Sequence, residues 1–413
     1  MSRWICALVL ALAPLVSLAD DEEALSLADQ ATSAPDLGSA WRIFTEGALR
    51  ESRQRGGSEV RGARLSLDVR YEKGFAPGWR AAFSDRLDAT QLDDPSGGDN
   101  VNTLKEAYVS WQPRADRLVD AGRINARYGV ATGYNPTDYF KAGSVRSIVS
   151  IEPASLRENR LGTAMARVQA LWDEGSIAAL YSPKLVAQPT SSAFSPDFGA
   201  TNANNRWLVA GSRRFGEFNP QWLVFGGEGM PLQFGVNATA LAGEATVAYV
   251  EWSGGRSRSL LSQALGLDGD SAFRSRTAAG LTYTAAFKLT MTAEYEYNGA
   301  GLDRAGWNAL SRGSPLDYAR YRNYASTAQD LPTQENLFLY AIWQDALITH
   351  LDLSAMQRRD PLDGSRLSWV EVRFRLPRAD VALQWQRASG SALSDFGAAQ
   401  DARLVQAVVR YYF

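Results

Sequence analysis

The chain has 413 residues, a formal net charge of −2 at pH 7, one cysteine and one histidine. This charge balance excludes the basic surface that nucleic-acid binding requires, and the single Cys6 excludes a disulfide or a cysteine-ligated metal site within the chain. Positive charge is carried by 38 arginines and only five lysines, so the charged surface is rich in rigid guanidinium groups.

The N-terminus has the pattern of a secretory signal peptide. Arg3 precedes an apolar run that ends at Leu15, and a small-residue cleavage site ends at Ala19. The run is shorter than the roughly 20 apolar residues of a transmembrane helix. We therefore predict a signal peptide over residues 1–19, a flexible periplasmic leader over residues 20–40 and a single domain over residues 41–413.

From Trp41 onward, segments of about ten residues alternate between apolar and polar side chains, which indicates half-buried β-strands. The last segment shows the pattern most plainly, because Val405 and Phe413 lie on an apolar face while Gln406 and Arg410 lie on a polar face. Lipid-facing and lumen-facing residues of a transmembrane β-barrel alternate in this way. A water-soluble sandwich alternates too, so the pattern alone leaves both architectures open.

The lengths of the connections favour the barrel. We number the gaps between successive predicted strands in chain order. The even-numbered gaps are short, as between Asp173 and Gly175, whereas the odd-numbered gaps are mostly long, as over residues 298–334. Short periplasmic turns and longer extracellular loops are typical of outer-membrane barrels, so we predict an all-β fold, a single transmembrane antiparallel β-barrel of about 18 strands. Aromatic residues near the strand ends predict interfacial girdles: Trp79, Trp111, Trp172, Trp207, Trp222, Trp343 and Tyr411.

Alternation also predicts the charged side chains that line the lumen, where charge sets selectivity. The candidate pore-lining residues are Arg64, Arg70, Arg80, Arg86, Arg167, Arg373, Arg375, Arg410, Glu106 and Glu371. Two interpretations remain open. Opposite charges on adjacent strands can form ladders that brace the wall. Alternatively, an excess of unpaired arginines can form a track for carboxylates or phosphates, which arginine binds through two donors.

One predicted loop, over residues 129–160, is too long for a simple hairpin connection. Such a loop either folds into the pore as a constriction or caps it from outside, and we favour the constriction. Its candidate solute contacts are Asp138, Arg146, Arg157 and Arg160. Acidic stretches at residues 93–99 and 268–270 can bridge lipopolysaccharide through divalent cations, although most such stretches are merely solvated.

Catalytic motifs are missing from the sequence. There is no P-loop, no G-x-S-x-G elbow, no H-E-x-x-H and no EF-hand loop. His350 is predicted to point into the lumen beside Asp352, close to a periplasmic turn over residues 344–346. We therefore expect no catalytic residue, no metal, no cofactor and no enzymatic activity.

Three short motifs resemble porin-type and alginate-export-like outer-membrane barrels: LKEAYVSW at residues 104–111, AGR at 121–123 and YNPTD at 134–138. The C-terminal strand, which ends on Phe413, resembles the signal that the barrel-assembly machinery reads. The resemblance implies a place in the Gram-negative outer membrane. The motifs themselves imply a wall strand, a turn and a loop, not a substrate. For a barrel in this membrane we expect four kinds of partner: membrane lipid, lipopolysaccharide, the assembly machinery, and a hydrophilic solute or saccharide.

These patterns predict a passive outer-membrane channel for hydrophilic solutes, with acidic saccharides or an exopolysaccharide as candidate cargo. The short periplasmic gaps argue against the long plug loop of alginate exporters. The alternative is a closed barrel that acts as a surface-interaction or secretion-accessory protein, which the long outer loops suggest. A hydrolase that depends on His350 is a third hypothesis. The sequence does not distinguish an open lumen from a plugged one, or a monomer from a trimer.

Overall fold

The computed structural model describes residues 40–94, 97–190 and 192–413. Eighteen strands form one antiparallel sheet in which each strand pairs with its neighbours in the chain. The first strand also pairs with the last, from Phe44 opposite Tyr412 onward, so the sheet closes into a barrel. The predicted fold class and strand number are therefore confirmed. The predicted signal peptide, and all of the predicted leader except residue 40, lie outside the described residues.

The strands are β1 Trp41–Gln54, β2 Glu59–Ala76, β3 Trp79–Leu92, β4 Gly98–Arg114, β5 Arg117–Ile124, β6 Thr163–Trp172, β7 Gly175–Ser182, β8 Arg206–Arg213, β9 Phe218–Gly227, β10 Met230–Leu241, β11 Thr246–Ser257, β12 Ala272–Thr284, β13 Leu289–Asn298, β14 Glu335–Trp343, β15 Leu351–Arg359, β16 Arg366–Leu376, β17 Ala379–Ser389 and β18 Asp401–Tyr412. The described connections contain the helices α1 Pro153–Glu158, α2 Phe198–Thr201, α3 Leu260–Leu265, α4 Arg304–Arg312 and α5 Pro315–Ala328. No helix in these described residues is long and apolar enough to cross a membrane.

The two faces of the sheet differ in polarity in the sense opposite to that of a water-soluble protein. On β2, Leu65 and Leu67 point outward and are 65% and 41% exposed, whereas Ser66 and Asp68 point inward and are 1% and 4% exposed. A closed sheet pairs its backbone groups without water. An apolar exterior around a charged interior is therefore the arrangement of a transmembrane β-barrel.

The connections differ in length between the two rims. Turns at residues 77–78, 173–174 and 377–378 are short, and the long loops lie at the other rim, over residues 125–162 and 299–334. We call these the short-turn rim and the long-loop rim. Some connections at the long-loop rim are also short, as at residues 55–58 and 228–229, so the alternation of loop lengths is not strict.

His350 corrects one of the sequence predictions. Between β14 and β15 the turn spans residues 344–350, so it is longer than predicted. His350 lies in that turn, exposed, with a φ of +74°, and its backbone N–H donates to Asp345 Oδ1 over 2.7 Å. The prediction that His350 points into the lumen is wrong, because the alternation was extended into residues that belong to the turn.

The long-loop rim carries a helical cap. Buried residues of α3, α4 and α5 form its small apolar core: Leu260, Trp307, Tyr321 and Ala325, together with Ala300. At one end α5 is joined to the 125–162 loop, since Gly143 N–H donates to Thr327 O over 2.9 Å. At the other end Tyr318 Oη donates to Leu393 O over 3.1 Å. The cap therefore connects four loops into one unit.

Candidate solute path through the barrel

The long loop between β5 and β6 enters the barrel. We call residues 125–162 the inner segment. Its Val149 carbonyl accepts hydrogen bonds from Arg64 on β2 and Gln406 on β18, at 3.3 and 3.4 Å. Its Glu152 Oε1 accepts a hydrogen bond from Tyr340 Oη on β14 at 3.0 Å. The inner segment therefore touches separate parts of the inner wall and runs through the interior.

Two buried glutamates on the wall hold the inner segment by its backbone. Glu251 on β11 is 0% exposed, and Glu294 on β13 is 4% exposed. Hydrogen bonds that N–H groups donate to a carboxylate are charge-assisted and about twice as strong as neutral ones. Six main-chain N–H groups donate over 2.7–3.3 Å, those of Val130, Ala131 and Thr137 to Glu251 and those of Thr132, Gly133 and Tyr134 to Glu294.

Glycines permit this close approach of wall and segment. Gly129 has a φ of +101°, which residues with a side chain rarely adopt, and a Cβ there would meet the Glu251 carboxylate. A Cβ at Gly133 would meet the Glu296 carboxylate and the Phe338 ring. Both positions therefore require glycine for the wall carboxylates to reach the backbone.

Two cavities adjoin at the inner segment. The first, of about 240 Å³, lies between the segment and strands β1–β3 and β16–β18. The second, of about 360 Å³, lies between the segment and strands β8–β10 and β14. Arg127, Glu152 and Ala154 line both cavities, so these three residues stand where the two spaces meet.

The eight predicted wall arginines all lie in ion pairs. Glu46 on β1 is the centre of one network, because its carboxylate oxygens lie 2.6, 2.9 and 2.8 Å from Arg64, Arg86 and Arg410. Every one of the eight except Arg70, whose partner lies on its own strand, pairs with a carboxylate on another strand, so the eight residues do not make a track of unpaired arginines. The other five pairs are Arg70 and Arg80 with Glu72, Arg167 with Asp120, Arg373 with Glu371, and Arg375 with Asp352.

The ten candidate wall residues divide according to the cavities. Six of them line the first cavity: Arg64, Arg70, Arg86, Arg373, Arg410 and Glu371. The other four, Arg80, Arg167, Arg375 and Glu106, line neither cavity.

The four candidate contacts in the loop also divide. Asp138 and Arg160 pair with each other at 2.8 Å, with side chains 0% and 3% exposed. Arg146 lies 3.7 Å from Asp197. Only Arg157 lines a cavity, the second one. Asp138 and Arg160 therefore belong to the internal packing of the segment. Neither residue lines either cavity, so the cavities do not support their predicted contact with solute.

The structure adds two arginines to the candidate pore-lining residues. Arg127 is exposed and lines both cavities, and Arg42 is exposed and lines the first. Within the described residues neither guanidinium group has a hydrogen bond or an ion pair. Arg42 follows the strand pattern, whereas Arg127 lies beyond the end of β5, where no periodicity applies. These two are the free cations of the path.

Glu152 is the acidic counterpart of Arg127 at the junction of the cavities. Burial raises the pKa of its carboxyl above the ordinary value, and the negative charge of Glu371 raises it further. Glu152 lies in the inner segment, just before α1, where the alternation of a strand gives no signal. In the described part of the chain, no group of three or more His, Cys, Asp or Glu side chains is placed to hold a metal ion.

Comparison with known proteins gives a likeness in fold. No family model matches the sequence, and no curated protein matches it. Among solved structures, the chain is similar to OccAB1 of Acinetobacter baumannii, with a TM-score of 0.56 at 11% identity over 90% of this chain and 96% of that one.

Two Pseudomonas aeruginosa proteins are similar to a comparable degree. OccK2 (OpdF), solved in complex with glucuronate, gives a TM-score of 0.55 at 11% identity over 91% of this chain and 97% of that one. The outer membrane protein OpdK gives 0.52 at 9% identity over 90% and 98%. The chain thus shares the porin fold over nearly its whole described length.

Proposed function

We propose that this chain is a passive channel of the Gram-negative outer membrane for small hydrophilic solutes, with acidic sugars as the favoured class. The observation that carries the proposal is the pair of adjoining cavities, with the unpaired guanidinium groups of Arg127 and Arg42 facing them. Guanidinium groups bind carboxylates through two donors. The porin fold and the apolar exterior support the membrane location, and the glucuronate in OccK2 supports the solute class.

The size of the cavities favours small solutes over a polymer. Volumes of about 240 and 360 Å³ fall near or below the lower end of the range for pockets that hold drug-sized ligands. The inner segment is held at six backbone N–H groups, so it does not leave the interior readily. Single sugars fit this path better than an exopolysaccharide does.

Planar bilayers test the proposal directly. We expect the refolded chain to conduct with a preference for anions, and glucuronate to block the current more strongly than glucose does. The double variant Arg42→Gln/Arg127→Gln should reduce the block by roughly tenfold or more, since each guanidinium–carboxylate contact contributes about 1 kcal/mol or more.

The matched control is Arg53→Gln, which removes an arginine from the outer face of β1. It should leave conductance and block unchanged. A silent wild-type barrel, or equal block by glucose and glucuronate, would contradict the proposal.

A further inference from the structure

Arginines form a row on the outer face of the barrel. Arg53 on β1, Arg403 on β18 and Arg387 on β17 lie directly opposite one another across adjacent strands. On the next two strands, Arg366 on β16 lies directly opposite Arg359 on β15. All five side chains are exposed, so five consecutive strands each contribute one outward arginine. We call these five residues the arginine row.

The arginines of the row are not neutralised by ion pairs with carboxylates of the described residues. Among the described residues, none of the five guanidinium groups makes an ion pair or a hydrogen bond. Glu59 is the neighbour of Arg53 on β2, yet no ion pair joins them. Like charges directly opposite each other on neighbouring strands destabilise a sheet. Because these guanidinium groups repel one another, an anion from outside the chain would stabilise their arrangement.

The row lies at the height of a membrane surface. Arg53 and Trp41 mark the two ends of the outer face of β1, twelve residues apart. At about 3.3 Å per residue and a tilt of about 40°, this separation corresponds to roughly 30 Å along the barrel axis. The apolar band of such barrels is about 25 Å tall, so the row lies just above it at the long-loop rim.

Apolar stripes run down from the row into the lipid-facing surface. Below Arg403 come Val405, Ala407 and Val409, and below Arg387 come Trp385 and Leu383. Val409 and Leu383 are 51% and 54% exposed. The guanidinium groups therefore lie at the upper edge of the apolar surface, at the level of the lipid head groups.

An open groove of about 800 Å³ lies on the same face, across β18, β1, β2, β3 and the start of β4. Two of its lining residues, Leu49 on β1 and Ala407 on β18, stand four residues along their strands from Arg53 and Arg403. Its floor is made of small residues, including Gly47, Ala63, Ala89 and Ala407, and Leu49 and Leu65 stand beside them. A Cβ added at Gly47 would meet open space. The groove is a shape that an acyl chain can occupy beside the arginines.

We infer that the arginine row and the groove together bind a phosphorylated, acylated lipid of the outer leaflet. The phosphates contact Arg53, Arg387 and Arg403, and one acyl chain lies in the groove. Arginine forks match the geometry of phosphate and bind it through two donors, and clustered basic residues at a membrane surface recognise phosphorylated head groups. The inference rests on the proposed outer-membrane location but not on conduction.

The test is binding of diphosphorylated lipid A to the refolded barrel in neutral detergent, by calorimetric titration and by native mass spectrometry. The triple variant Arg53→Gln/Arg387→Gln/Arg403→Gln should lose roughly a hundredfold in affinity, at about fivefold for each arginine near a membrane surface. The triple lysine variant keeps the charge and should retain most of the affinity. Gly47→Phe, which fills the groove, should weaken binding of phosphorylated and dephosphorylated lipid A alike.

Fully dephosphorylated lipid A and inorganic phosphate complete the design. Wild-type affinity for the dephosphorylated lipid equal to that for lipid A would overturn the inference, as would an unchanged affinity of the triple glutamine variant. Competition by micromolar inorganic phosphate would assign the row to a soluble anion instead and would also overturn it. Each variant should keep the heat-dependent gel shift and the wild-type conductance, so that a failure of lipid binding is separate from a failure of the channel.

Discussion

Lys105 faces the lumen although the strict alternation of β4 does not predict it. Glu106 on β4 lies opposite Ser84 and Leu104 lies opposite Asp85, so Lys105 is an extra residue in a β-bulge. The bulge turns Lys105 inward, where its Nζ lies 2.7 Å from Asp68 Oδ2 and its side chain is 4% exposed. Strict alternation predicted Glu106 to line the pore and did not find Lys105. The charge of this wall therefore depends on an irregularity that alternation does not reveal.

We predict that Glu152 makes the ion selectivity of the proposed channel dependent on pH. Because burial and the charge of Glu371 raise its pKa, its carboxyl takes up a proton at a higher pH than an ordinary glutamate. Lowering the pH from neutral to mildly acidic removes this negative charge from the junction of the cavities, so preference for anions should rise. Reversal potentials in a salt gradient should show this rise in the wild type and little of it in Glu152→Gln. Glu158→Gln, which alters another lining residue of the first cavity, should keep the response.

At the scale of elements, the inner segment is a loop held by strands. Its backbone N–H groups converge on Glu251 and Glu294, which come from β11 and β13, more than 100 residues further along the chain. Tyr249 Oη also donates to Glu294 Oε2 at 2.7 Å. The loop is thus positioned by the rigid wall, which fixes the shape of both cavities.

Removing this hold should widen the path. In the double variant Glu251→Gln/Glu294→Gln, an amide N–H₂ group replaces one acceptor oxygen of each carboxylate and faces the N–H donors of the segment. Each charge-assisted hydrogen bond that is lost costs about 1.5–3 kcal/mol. We expect larger and noisier single-channel currents. Glu106→Gln is the matched control, since Glu106 lines neither cavity and does not contact the segment's backbone. Currents identical to wild type in the double variant would show that other contacts hold the segment.

The helical cap should loosen as the pH rises. Burial raises the pKa of Asp395 from an ordinary 3.8 to about 7; the nearby Asp360 and Asp363 raise it too, while Arg322 opposes them. A carboxyl whose pKa is higher in the folded state than in the unfolded state stabilises the fold fully at a pH below its unfolded-state pKa. This contribution is lost as the pH rises through the folded-state pKa of about 7. At pH 8, amide hydrogens of α5 should exchange more slowly in Asp395→Asn than in the wild type.

The difference between Asp395→Asn and the wild type should shrink as the pH falls towards 4, because the wild-type carboxyl is then protonated as well. Comparing the two proteins at each pH removes the intrinsic pH dependence of exchange. Faster exchange in the variant at pH 8 would mean that the ion pair of Arg322 with Asp395, at 3.5 Å, outweighs the burial of the charge.

On the scale of the whole molecule, the barrel places its apolar side chains outside. Leu67, in the middle of β2, should therefore tolerate charge poorly: Leu67→Arg should lower the free energy of unfolding in lipid vesicles by about 2–4 kcal/mol. Phe75→Arg, near the short-turn end of the same strand, should cost only about 0–1 kcal/mol because head groups and water are close. Urea titrations followed by tryptophan fluorescence measure both. Equal costs would contradict the depth at which β2 is placed.

The sequence alone determined the fold class, the approximate strand number and the face of most strand residues. The reason is physical: lipid outside and water inside impose a period of two on every strand. His350 was misplaced because a turn of residues 344–350 interrupts the period without a strong local break.

Only the tertiary structure decided which charges pair and which remain free. Glu46 meets Arg410, 364 residues away, because β1 and β18 close the barrel in one particular register. The same closure brings Arg53 beside Arg403 and Arg387, and it places Glu251 and Glu294 under the inner segment. Alternation assigns a side chain to a face, but neighbours across strands depend on register, bulges and closure, which are properties of the whole sheet.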